Sequence, residues 1–121
     1  MLLRDKDKQT LLQIFSKVKI PMEVWAYGSR VTGEAHEGSD LDLVIRSKDL
    51  LKFPLDTLSN IKDEIRESNI PILVDLFDWA RLPESFYSNI LAHHEILFSN
   101  LEFILNEPAT AYKKKGNSDP I

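Results

Sequence analysis

Apolar residues at Leu11, Leu12, Ile14, Phe15 and Val18 recur at the three- and four-residue spacing of an amphipathic helix, and Pro21 closes the pattern. The rhythm then changes. Residues 22–27 (MEVWAY) are rich in β-branched and aromatic side chains and stop at Gly28, which predicts a strand. Residues 28–38 hold three of the four glycines of the chain and predict a loop with room for one helical turn. A second strand is predicted over 39–46 (SDLDLVIR), followed by an irregular stretch at 48–54. Leu55, Leu58, Ile61 and Ile65 mark a second long helix, which Asn69 and Pro71 end. Residues 72–79 (ILVDLFDW) predict a third strand, and so continuous an apolar run suits the centre of a sheet. Pro83 suits the first turn of a last helix with Phe86 and Ile90 facing inward. Residues 93–98 (HHEILF) fit either the end of that helix or a short edge strand. This order of elements is that of a small α/β or α+β domain.

Composition narrows the class. A chain of 121 residues is the size of one domain and can bury a core without disulfides. The domain is expected over 1–111, with 112–121 (YKKKGNSDPI) a polar, disordered tail. No apolar run approaches the ~18 residues of a membrane span, and the first residues, MLLRD, lack the apolar core of a signal peptide. A cytoplasmic location and no membrane partner are therefore expected. Zero cysteines exclude a disulfide scaffold, a thiol nucleophile and thiolate-bound zinc. Fifteen Lys and Arg against nineteen Asp and Glu give a net charge of −4, which disfavours a protein that grips long nucleic acid through its phosphates.

The informative charges are three aspartates. Asp40 and Asp42 alternate with Leu41, Leu43 and Ile45, so on an extended chain they share one surface. Two residues of strand set them about 7 Å apart, where like charges repel by roughly 2 kcal/mol at an effective dielectric near 20. Taken alone, the pair fits a solvent-facing strand or a charged edge that discourages aggregation. Asp75 shifts that balance, because every residue within three positions before it and two after it is apolar. A carboxylate there is either paired, with Arg30, Arg46 or Arg66 as candidates, or sits at a functional surface. Three aspartates from two strands could instead converge on divalent cations; Mg²⁺ is a hard ion usually held by a few carboxylates plus substrate phosphates. Asp78 lies on the opposite face and is left outside the site. Gly28-Ser29 offers close backbone approach, amide hydrogens and a hydroxyl to a phosphate. Arg30 either contacts phosphate or pairs with Glu34.

Together, Gly28-Ser29, ten intervening residues, Asp40-Leu41-Asp42 and a later strand aspartate resemble the signature of the DNA polymerase β-type nucleotidyltransferase superfamily. More narrowly, AYGSRVTGEAHEGSDLDLVI followed by VDLFDWA resembles the minimal nucleotidyltransferases, short domains that often serve as the antitoxin of a HEPN/MNT toxin–antitoxin pair. The resemblance implies a small mixed sheet flanked by helices. It assigns Gly28 and Ser29 to a nucleoside triphosphate, with Arg30 and Gly33 supporting that loop. Asp40, Asp42 and Asp75 would be the metal ligands and catalytic carboxylates, with Asp75 also the base for the attacking hydroxyl. Two Mg²⁺ ions, ATP as substrate and AMP transfer to a tyrosine of a HEPN-type partner follow from the same resemblance, with homo- or hetero-oligomers left open. The alternatives are a non-catalytic module that masks such a partner and an antibiotic-modifying nucleotidyltransferase. His36, His93 and His94 are not assigned to the site, and Trp25, Trp79, Phe77 and Phe86 are assigned to the core. Lys113, Lys114 and Lys115 are read as a short solvated charge run, and Leu101, Phe103, Ile104 and Leu105 as packing or a partner surface.

Overall fold

A computed structural model describes residues 1–35 and 38–101. The expected tail, His36, the three lysines, Phe103, Ile104 and Leu105 lie outside the described residues. Four strands, β1 (Met22–Tyr27), β2 (Leu41–Ser47), β3 (Val74–Asp78) and β4 (His94–Ser99), form one sheet in the order β3-β2-β1-β4. β1 runs antiparallel to β2 and to β4, whereas β2 and β3 are parallel. A parallel pair requires a crossover, and α3 (Leu55–Arg66) supplies it.

Alternation along the strands divides the sheet into two unlike faces. Met22, Val24 and Ala26 of β1, Leu41, Leu43 and Ile45 of β2, and Leu76 of β3 pack on Leu11, Ile14 and Phe15 of α1 (Asp5–Ser16) and on Leu58, Ile61 and Ile65 of α3. All of these are buried, at about 1.5–3 kcal/mol per large side chain. The other face carries Trp25, Tyr27, Asp42, Val44, Arg46, Asp75 and Phe77, aligned by the pairs Trp25↔Val44, Tyr27↔Asp42, Asp42↔Asp75 and Val44↔Phe77. Only part of it is roofed, by 3-10 turns at Trp79–Arg81 and Glu84–Phe86 and by the short α4 (Tyr87–Ala92). Trp25, Val44, Trp79 and Ile90 form a second, smaller core there.

The three expected strands and the two long helices are present, and residues 93–98 resolve as the edge strand β4. Three expectations are corrected. The third strand is at the sheet edge: Ile72, Val74 and Leu76 lean on the helical core, while Leu73 and Phe77 lie where no described residue roofs them and are 62% and 38% exposed. Phe86 is likewise 45% exposed, because Glu84–Phe86 is a separate 3-10 turn that puts Ile90, not Phe86, onto the sheet. β2 begins at Leu41, so Asp40 precedes the ladder instead of standing in it. Helix α1 begins at Asp5, ahead of its apolar stripe; its first turn places Asp5 and Asp7 at the positive end of the helix dipole. Among the described residues no helix is long and apolar enough to cross a membrane.

Candidate active site

The loop after β1 is shaped by two glycines. Gly28 has φ 82° and ψ −160°, a conformation open to glycine and strained for other residues. A Cβ built there would lie 2.6 Å from Oδ2 of Asp42. The backbone at residue 28 therefore runs directly against that carboxylate, an approach only glycine allows. The single helical turn α2 (Ser29–Thr32) follows, with Val31 and Thr32 amides donating to the Gly28 carbonyl. Gly33 closes it in the left-handed region at φ 89°, and the amides of Gly33, Glu34 and Ala35 all converge on the Ser29 carbonyl. The half-buried Ser29 hydroxyl has no hydrogen bond among the described residues.

Arg30 is turned into the protein. It is 8% exposed; Nε donates to the Ser39 carbonyl at 3.0 Å and Nη1 to the Leu2 carbonyl at 2.6 Å. Its own carbonyl accepts from the Leu2 amide. Arg30 thus ties the Gly28 loop to the segment leading into Asp40, and neither a Glu34 pair nor an outward-facing guanidinium is found.

Parallel pairing of β2 and β3 puts Asp42 and Asp75 side by side on the partly open face, both half-buried. Neither forms an ion pair among the described residues. All three candidate partners are otherwise engaged: Arg30 as above, Arg66 with Asp63, and Arg46 between two indoles. Burial first, and then the charges of Asp75 and Asp40, hold the Asp42 carboxyl above the usual carboxylate range. Asp40 is exposed and adds its field to that of Asp42, but among the described residues no three His, Asp or Glu side chains stand close enough to hold one metal ion. The expected three-way convergence is therefore a two-carboxylate ledge with Asp40 beside it, because Asp40 lies outside the β2 ladder.

Tyr27 belongs to this ledge and was not singled out from the sequence. It faces Asp42 across β1 and β2, and burial together with the Asp42 and Asp75 charges pushes its hydroxyl up to about 12. Its alternation with Trp25 was legible; its juxtaposition with Asp42 needed the strand register. Further along the same face the Arg46 guanidinium lies 3.9 Å from the Trp25 ring and 4.4 Å from the Trp79 ring. Burial lowers its pKa, its Nε has no hydrogen-bond partner among the described residues, and cation–π attraction offsets that cost. Tyr87 stacks on Trp79 at 4.1 Å, and His94 stacks on Trp25 at 3.8 Å while its Nδ1–H donates to the Ile90 carbonyl. This packing confirms Trp25 and Trp79 as core and gives His94 a structural place. His93 is exposed.

A two-carboxylate donor set without a cation partner, beside a glycine-serine turn, suits a hard divalent ion that completes its shell with phosphate oxygens and water. A mixed sheet with these groups at neighbouring strands has the organisation of a nucleotidyltransferase domain. Residues 9–103 match the family described as Polymerase beta, Nucleotidyltransferase, and the chain belongs to that family. A Haemophilus influenzae protein named "Probable protein adenylyltransferase MntA" is 49% identical over 65 residues, 52% of this chain and 54% of that protein. The chain thus spans about half the length of the curated relative it matches. Among solved structures, a toxin–antitoxin crystal structure with AMP-PNP superposes with a TM-score of 0.62 at 16% identity, covering 84% of this chain and 77% of that one. A crystal structure of the toxin–antitoxin MntA-HepT gives a TM-score of 0.58 at 10% identity, covering 83% and 76%. At those identities the likeness establishes the fold.

Proposed function

We propose that the chain is a metal-dependent nucleotidyltransferase that moves AMP from ATP to a hydroxyl, a tyrosine of a HEPN-type partner, in the manner of a toxin–antitoxin antitoxin. The observation that carries this reading is the uncompensated Asp42–Asp75 pair against the Gly28 backbone, a costly arrangement that a bound cation and triphosphate would relieve. The name of the Haemophilus relative and the AMP-PNP of the structural neighbour support the choice of donor and reaction.

In this reading Asp42 and Asp75, with Asp40 beside them, would hold Mg²⁺. Bound there, the metal would neutralise charge on the α-phosphate and the departing pyrophosphate. Gly28 lets the backbone approach the triphosphate, Ser29 donates its hydroxyl to a phosphate oxygen, and Gly33 and Arg30 hold that loop in shape. Asp75 accepts the proton of the attacking hydroxyl as the new phosphodiester bond forms and the bond to pyrophosphate breaks. Positioning and charge stabilisation supply most of the rate.

The test is intact-mass spectrometry of a HEPN-type partner after incubation with the chain, ATP and Mg²⁺. A gain of one AMP, lost with Asp42→Asn, is the expected result. No added mass, with undiminished inhibition of the partner by Asp42→Asn, overturns catalysis in favour of a masking module. Thermal melts add a second check: Mg²⁺ and ATP together should stabilise far more than either alone, since the protein supplies few metal ligands.

A further inference from the structure

Beside the Gly28 loop, on the side away from β3, lies a cavity of about 410 Å³ lined by Tyr27, Gly28, Thr32, Phe86, Asn89 and His93, among others. That volume is within the ~300–1,000 Å³ range of small-ligand sites. Two of its walls are chemically unspent. The Phe86 ring is 45% exposed and stacks on no other ring among the described residues. Asn89 is exposed, and its amide group makes no hydrogen bond among the described residues, although its backbone carbonyl accepts from His93. Among the described residues nothing covers the Phe86 ring, and it borders the loop assigned to the triphosphate.

We infer that this cavity is the base subsite of the nucleotide donor, with Phe86 as the stacking platform and Asn89 as the reader of an adenine edge. The inference rests on the nucleotidyltransferase reading above and adds how the donor is chosen. Continuity carries it: Gly28 and Thr32 belong both to the phosphate loop and to the cavity wall, so a ligand with phosphates on the loop has this cavity within reach of its other end. The chemistry selects the base. A carboxamide presents one donor and one acceptor, which match the N7 acceptor and N6 amino donor of adenine, whereas guanine offers two acceptors at O6 and N7. An aromatic face holds any base, so stacking contributes affinity and the amide contributes choice.

Equilibrium binding of ATP, GTP and CTP to the full chain with Mg²⁺ tests this, using wild type, Phe86→Ala, Phe86→Trp, Asn89→Ala and Asn89→Asp. Both side chains are exposed, so each variant should melt with wild type. Wild type should favour ATP over GTP by about tenfold or more. Phe86→Ala should weaken all three nucleotides by about tenfold, and Phe86→Trp should restore them. Asn89→Ala and Asn89→Asp should remove most of the ATP preference. Unchanged affinity and unchanged ATP-to-GTP ratio in Phe86→Ala and Asn89→Ala overturn the subsite while leaving the nucleotidyltransferase reading standing. Variants that impair partner modification without altering nucleotide affinity also overturn it, by giving the cavity to the acceptor. A wild-type chain that binds no nucleoside triphosphate overturns both readings.

Discussion

Asp75 and Asp78 stand three residues apart on β3, face opposite sides of the sheet, and live in opposite circumstances. Asp78 is almost fully buried on the helical side, where Oδ2 accepts from the Phe53 amide at 2.8 Å and from Arg81 Nε at 3.1 Å, and Oδ1 accepts from the Ala80 amide at 3.2 Å. Arg81 in turn donates to the Phe53 carbonyl, closing a ring that pins the 48–54 connection to the end of β3. Among the described residues Asp75 has no such partners; its neighbour across the ladder is another aspartate. A fully satisfied buried carboxylate is a part of the fold, and removing it leaves donors stranded. An unsatisfied pair at a half-open surface subtracts from folding and is accounted for by what it binds. The contrast also separates Asp7, whose hydrogen bond from Arg4 holds it below the usual carboxylate range, from Asp42, which is held above it.

Substitution at the two ends of this comparison should invert its consequences. The largest effect is expected for Asp42→Asn, which should cut AMP transfer on the order of a thousandfold by removing a metal ligand, several kcal/mol of transition-state stabilisation. In metal-free buffer the same variant should melt at or above the wild-type temperature; a large drop would make Asp42 a structural group and erase the contrast. Next comes Asp78→Ala, expected to lose about 3 kcal/mol in urea unfolding, because the buried Phe53 amide is left without its acceptor. Gly28→Ala should cost about 1–3 kcal/mol from backbone strain and lower transfer as well, since the new Cβ must displace the Asp42 carboxylate. Gly33→Ala shares the positive φ but meets no atom within 4 Å, so its loss should be confined to about 1–2 kcal/mol of strain.

The smallest effect is one of pH. Because the folded state raises the Asp42 pKa, it holds that proton more tightly than the unfolded chain does. The ionised group therefore lowers stability at neutral pH, and the deficit vanishes as pH falls through the folded-state pKa. Asp42→Asn should thus gain slightly over wild type at pH 7 without metal, and the gain should shrink on acidification. Asp7 has the reverse sign: its contribution is present above the unfolded carboxylate pKa and is lost as pH falls through its lowered folded value. Paired melts of Asp42→Asn and Asp7→Asn across the acid range distinguish the two slopes.

Local chemistry determined much of this protein before folding entered. Alternation in SDLDLVIR assigns Asp42 to the face opposite Leu41 and Leu43 wherever the strand lies, and Gly28-Ser29 marks a backbone turn because glycine is free to adopt it and serine sets a hydroxyl beside it. The same periodicities specified α1, β1 and α3. Tertiary structure decided everything that depends on which faces meet. Only the β2–β3 register sets Asp42 beside Asp75, and only the β1–β2 register adds Tyr27. The apolar run around Asp75 suggested a central strand, but strand order arises from long-range pairing, and it left β3 at the edge with Phe77 exposed. For Arg30 the sequence left a phosphate contact and a Glu34 pair both open, and packing turned it toward the Ser39 and Leu2 carbonyls. A sequence states which way a side chain points relative to its neighbours in the chain; what stands opposite it is settled by contacts between segments dozens of residues apart.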